Sequence, residues 1–267
     1  METGLICLIA AMKDEISPLL RLADSCKKER IDDFDTFRLT FGKEKVIIVR
    51  SGMGVENAAA ATDTLIRKAK PSLIVNFGFC GAVMPGPQVG DIVVAHRILF
   101  HREDLFSPQS GIVEEDAKRI TRSITDNMAG RNITVYSGVF ITCTEIKNKL
   151  EMVYLIPSWA KNPFLEMETA AVAMAAAKGG VPLMALRGVS DDAVEELGFS
   201  ISELSDKRMN LRIWKVLLAV LRKPWIIPQM FRLSKNSRKA GENLALAITS
   251  LLEDIGDLPL ERYVFKK

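Results

Sequence analysis

Short apolar runs alternate with stretches of helical spacing along most of this chain, and that alternation constrains its fold more than any other feature. Leu5-Ile6-Cys7-Leu8-Ile9-Ala10 is a continuous apolar run, as expected of a strand covered on both faces. The spacing predicts a helix over 13–22. Residues 37–41 alternate, Gly42 marks a turn, and 46–49 reads as the next strand. Ser51-Gly52-Met53-Gly54 opens an alanine-rich helix that runs to about residue 69. Further strands are expected at 73–77, 91–95, 133–136 and 181–186, and further helices at 114–128 and 168–178. Such alternation predicts an α/β fold with three layers, α/β/α, around a central mixed sheet. The chain contains no internal repeat and no low-complexity linker, so residues 1–267 are expected to form one domain. Its C-terminal part, about 203–255, is expected to be basic and helical.

Composition narrows the function classes. Apolar residues make up 48% and charged residues 26%, which excludes a disordered, collagen-like or disulfide-scaffold chain. The formal net charge of +3 does not mark a nucleic-acid binder. Cys7, Cys26, Cys80 and Cys143 form no CxxC pair, and His96 and His101 are the only histidines. A Cys/His metal cage is therefore not expected, and the cysteines read as reduced, buried thiols. With no signal-like leader and no run of 18 apolar residues, the chain reads as cytoplasmic.

In open α/β sheets, ligands bind at the carboxyl ends of the strands, and five segments at or near such ends carry unusual residues. They are Ala11-Met12-Lys13-Asp14-Glu15, Ser51-Gly52-Met53-Gly54, Asn76-Phe77-Gly78-Phe79-Cys80-Gly81-Ala82, Phe164-Leu165-Glu166-Met167-Glu168, and Arg187-Gly188-Val189-Ser190-Asp191-Asp192. Each has a bland reading. Glycines serve tight turns as well as anion-binding backbone. Glutamates in a first helical turn complement the helix dipole. An aspartate after a strand can be a helix cap, and Glu15 can be a solvated helix residue, as Asp14 beside it is expected to be.

The set is more specific than its parts. In order and spacing, Ala11-Met12-x-x-Glu15, Ser51-Gly52-x-Gly54, Gly78-x-x-Gly81, Val89-Gly90-Asp91-Ile92-Val93, Glu166-Met167-Glu168 and Arg187-x-x-Ser190-Asp191 resemble the nucleoside phosphorylase and nucleosidase superfamily. The nucleosidase branch is the most similar. The resemblance extends from about Leu5 to Asp192.

The resemblance implies cleavage of the N-glycosidic bond of a purine nucleoside, through a transition state with a cationic sugar and negative charge on the leaving base. Such a state needs an acid at the base and carboxylates around the sugar. By resemblance Asp191 is the acid at purine N7, oriented by Ser190. Glu168 binds ribose hydroxyls, Met167 packs on the sugar, and Glu15 positions the attacking water. Glu166, Gly54, Phe79 and Gly81 complete the expected substrate-binding set. Arg187 reads equally well as a structural ion-pair partner. No cofactor is expected beyond water, or inorganic phosphate if the reaction is phosphorolysis. Asn76 and Phe79 stand where the bacterial phosphorylases carry an arginine and a serine, and neither can neutralise phosphate. This favours water, although Arg97, His101 and Arg102 keep phosphorolysis open. Phe79 also replaces the small serine usual in nucleosidases. A homo-oligomer, taken as a dimer, is expected.

Between Lys207 and Lys239 there are ten basic residues and no acidic one, with Trp214, Trp225 and Phe231 among them. Two readings stand: an anionic-membrane contact, which would admit a lipid-linked adenosyl substrate of the adenosyl-hopanoid kind, or a solvated basic face. Pro224 and Pro228 are expected to break this segment into short pieces.

Overall fold

The computed structural model describes residues 4–145, 147–193 and 227–255. In chain order its elements are β1 (Ile6–Ala10), α1 (Lys13–Leu22), β2 (Ser25–Ile31), β3 (Phe34–Phe41), β4 (Glu44–Arg50), α2 (Val55–Ala69), β5 (Leu73–Ala82), β6 (Ile92–Arg102), β7 (Leu105–Gln109), α3 (Glu114–Asn127), β8 (Val135–Cys143), α4 (Lys149–Leu155), β9 (Pro163–Glu166), α5 (Thr169–Gly179), β10 (Leu183–Asp191) and α6 (Ile227–Asp254).

The expected layers are present. Along β1, Ile6, Leu8 and Ala10 face a core shared with α1, α3 and α6, while Cys7 and Ile9 face a core shared with α2 and α5. Both faces of the strand are thus covered, which is why its sequence is continuously apolar. The sheet is mixed, in the order β10-β6-β8-β9-β5-β1-β4-β3-β2, with β7 paired to β6. β10 pairs with β5 as well, so β10, β6, β8, β9 and β5 close into a ring. Side chains from all five strands fill it, including Cys80, Val93, Phe140, Phe164 and Val189. The central mixed sheet is therefore part open sheet and part closed ring.

Several expected boundaries move. β5 and β10 run past 77 and 186 to Ala82 and Asp191, so the glycine-rich and Ser190-Asp191 segments are strand ends rather than loops. β8 starts at Val135 and continues to Cys143, because Gly138-Val139-Phe140-Ile141 extends the apolar run. β2 is an exposed edge strand rich in charge, and Cys26 on it is exposed, unlike the three buried cysteines. From Pro228 onward the described part of the segment is one continuous helix. Pro228 lies in the first turn of α6, where no intrahelical N–H partner is needed. Pro224, Trp214 and Trp225 lie outside the described residues. Among the described residues no helix is long and apolar enough to cross a membrane.

Candidate active site

The carboxyl ends of β1, β4, β5, β9 and β10 converge on one cleft of about 630 Å³, whose outer wall is formed by α1 and α6. Glu15, Glu168 and Asp191 all line it, with Met167, Glu166, Ser190, Gly81 and Phe79. Three acids distant along the chain thus share one cavity.

Glu15 is the third residue of α1 and is buried, not solvated. Oε2 accepts the backbone N–H of Ala11 (2.9 Å) and Met12 (2.7 Å), and Oε1 accepts that of Phe79 (2.9 Å). Burial pushes its carboxyl above the usual value, and these N–H donors and Arg187 oppose the shift without cancelling it. A raised carboxylate pKa makes a stronger base near neutrality. Asp14 is exposed, as expected, although it borders the cleft.

Glu168 stands at the N-cap of α5, but its side chain does not cap the helix. It turns to the cleft, where Oε1 accepts the backbone N–H of Gly54 at 2.9 Å. Gly54 has φ +91°, a conformation that favours glycine. Burial, then the neighbouring Glu166 carboxylate, push Glu168 up to about 8.

Glu166 has the opposite environment. Its Oε2 accepts from the backbone N–H of Glu168 and Thr169, from Thr169 Oγ1 and from Arg187 Nη2 at 2.7 Å, and Oε1 accepts from Thr142 Oγ1. Burial pushes its carboxyl up, but Arg187 and the Thr142 and Thr169 hydroxyls outweigh that and hold it below the usual value. Both oxygens are engaged by protein donors, so Glu166 fastens the start of α5 from beneath the cleft. Arg187, 1% exposed, also donates to Asn76 Oδ1 (2.7 Å) and lies over the Phe140 ring. It is the ion-pair partner that one reading of the sequence suggested. Asn76 donates in turn to Ile9 O and does not line the cleft.

Asp191 ends β10 at a shift in strand register between Val189 and Asp191, an irregularity of the kind that re-aims side chains beside active sites. It is not a helix cap. Ser190 Oγ donates to Asp191 Oδ1 at 2.7 Å. On the other oxygen, Oδ2, sits the ammonium of Lys149, a residue that no sequence signal singled out. A Cβ at Gly81 would stand 2.6 Å from Asp191 Oδ2 and 3.1 Å from Lys149 Cε. Glycine there makes room for the pair.

Arg97, His101 and Arg102 do not line the cleft. Arg97 stacks on Trp159, Arg102 lies beside Glu103, and His101 packs on Phe106. No group of His, Cys, Asp and Glu suited to a metal ion occurs among the described residues.

The chain as a whole has known relatives. The family model of the phosphorylase superfamily matches residues 5–222, and the chain belongs to that superfamily. Among individual relatives, the 5'-methylthioadenosine/S-adenosylhomocysteine nucleosidase of Exiguobacterium sp. is 28% identical over 228 residues, covering 81% of this chain and 97% of the relative. The nucleosidase of the same name from Staphylococcus aureus is 25% identical over 212 residues, 76% of this chain and 93% of the relative. Among solved structures, the Colwellia psychrerythraea nucleosidase in complex with adenine gives a TM-score of 0.71 at 20% identity, over 94% of this chain and 96% of that one. The Neisseria meningitidis nucleosidase in complex with methylthio-immucillin-A gives 0.68 at 20% identity, over 94% and 100%. These two structures share the fold.

Proposed function

We propose that this protein hydrolyses the N-glycosidic bond of an adenine nucleoside and releases free adenine, a reading supported by relatives named 5'-methylthioadenosine/S-adenosylhomocysteine nucleosidase. The observation that carries the reading is the convergence of Glu15, Glu168 and Asp191 on one cleft. In this reading Asp191 delivers a proton to N7 of the base, and Ser190 fixes its orientation. As the C1′–N9 bond breaks, its electron pair passes to the base and the sugar becomes cationic. Glu168 bonds the ribose hydroxyls, and the growing positive charge draws it toward its carboxylate form. Met167 packs on the sugar, with Phe79, Gly54 and Gly81 shaping the wall and Glu166 holding the segment that carries Met167 and Glu168. Water adds its oxygen to C1′ and gives its proton to Glu15.

Water is favoured over phosphate because the base candidate is an acid held by backbone N–H groups. Asn76 is taken up in the buried network, and Arg97, His101 and Arg102 lie off the cleft. The assay is adenine release from adenosine, methylthioadenosine, S-adenosylhomocysteine, inosine and a lipid-linked adenosine, with and without phosphate. Adenine without phosphate is expected. A phosphate requirement with ribose 1-phosphate as product would establish phosphorolysis instead. Ligand binding without turnover, unchanged in Asp191→Asn, would make the protein a nucleoside binder.

The same reading takes residues 1–267 as one domain, supported by the packing of α6 on α1, α3 and β10. It takes the protein as cytoplasmic, supported by four free thiols, and as a homodimer, supported by exposed Leu150, Tyr154 and Trp159 around α4. Of the basic segment, the described part bears exposed Phe231 and Lys235. Co-sedimentation with anionic vesicles at low and high salt tests whether it meets a membrane.

A further inference from the structure

Lys149 is the first residue of α4, where a cation is disfavoured by the positive end of the helix dipole. It is also 8% exposed, although lysine is almost never buried without a partner. Neither fact is explained by the helix itself. Both are explained by what the side chain reaches: the ammonium pairs with Asp191 Oδ2 and donates to the backbone carbonyl of Asp192. Ser190 occupies the other Asp191 oxygen. Both carboxyl oxygens of Asp191 are therefore engaged by protein groups, one of them the ammonium of a buried lysine.

Resting on the nucleosidase reading, we propose that Lys149 is a positioning residue that supplies, through Asp191, the proton received by the leaving base. When a nucleoside fills the cleft and removes water, a neutral amine beside a neutral acid becomes competitive with the ion pair. Lys149 gives a proton to Asp191 Oδ2, and Asp191 gives a proton to base N7 as the C1′–N9 electron pair moves onto the base. Water adds hydroxide to C1′ and leaves its proton on Glu15. Glu15 then loses a proton to solvent and Lys149 regains one, so the protein ends as it began.

The other ionisable groups of the cleft are Asp14, Glu15 and Arg21 on α1, Cys80 on β5, Cys143 on β8, Glu145 and Lys147 before α4, Glu166 and Glu168 at and after the end of β9, Arg187 on β10 and Arg238 on α6. Glu145 pairs with Lys147, and Glu166 with Arg187. Burial pushes both thiols far up, Cys143 to about 12. Glu168, at about 8, titrates in every variant alike, so comparison between variants isolates the Lys149–Asp191 pair.

The test is steady-state adenine release from methylthioadenosine by the full chain and by Lys149→Met and Lys149→Arg, across pH 5–10, with melting curves to confirm folding. Arginine keeps an ion pair but does not give up its proton. Relay predicts kcat lower by about 10²-fold in both variants, with KM within about threefold. It also predicts an alkaline limb displaced to lower pH in Lys149→Met. Arginine restoring half or more of kcat, or an unmoved limb in a folded Lys149→Met, overturns the relay and leaves the nucleosidase reading intact. If Lys149→Met does not fold, the Lys149→Arg kcat decides alone. No adenine from the wild-type chain overturns both.

Discussion

Glu166 and Glu168 stand two residues apart in the chain, yet they belong to different regions of the molecule. Glu166 faces down into a packed layer where Arg187, Thr142, Thr169 and two backbone N–H groups saturate it. Glu168 faces up into the cleft with a single described partner, the Gly54 N–H. One carboxyl is held below its usual pKa, and the other is pushed to about 8. Burial alone therefore does not set the behaviour of these acids. The charges and donors around each one do: Arg187 and the hydroxyls close round Glu166 in the floor of the cleft, while Glu168 above it meets a like charge and one N–H.

The largest expected effect comes from breaking the lower region. Arg187→Met leaves Glu166 charged and unpaired in the interior, which should cost about 3–5 kcal/mol of folding stability. Denaturant melts measure this, and adding Glu166→Gln should recover part of the loss. A single variant as stable as the native protein would contradict the saturated-floor description.

Breaking the upper region should spare the fold and stop the chemistry. Glu15→Gln is expected to lower kcat for adenine release by about 10²–10⁴-fold, with an intact circular dichroism spectrum. In the native protein the acid limb of the rate profile should lie above the ordinary glutamate range, since Glu15 is raised and must be ionised to take the proton from water. A limb at the ordinary glutamate value would separate Glu15 from that step.

Glu168 sharpens the comparison through stability. Its carboxyl ionises near 4.5 when unfolded and near 8 when folded, so the folded state holds the extra proton between those values. Stability should therefore fall as pH rises through that window and level off above it. Glu168→Gln removes the effect, so its melting temperature should exceed the native one by an amount that grows from pH 5 to pH 8. A constant difference across that range would count against the raised carboxyl. The smallest effect is expected at Phe79→Ser, with KM altered several-fold and kcat within about twofold, because it is the backbone N–H of residue 79 that holds Glu15.

Much of this was legible in the sequence, for identifiable reasons. Strands with both faces buried, such as β1 and β5, announce themselves as apolar runs, and Glu15, Glu168 and Asp191 sit in motifs of fixed spacing. β2 was hidden because Cys26-Lys27-Lys28-Glu29-Arg30 is polar on both faces of an edge strand. β9 is only four residues long, and ring closure through the β5–β10 pairing leaves no local trace. Lys149 was missed because its meaning depends on Asp191, 42 positions away, and a lysine beside a helix start carries no meaning until its partner is in view.

Because main-chain amides rather than side chains clasp Glu15, the chemistry at this end of the cleft is insulated from the identity of residue 79. A serine or a phenylalanine offers the same amide hydrogen. Substrate preference is thereby free to drift at that position while the reaction itself stays fixed.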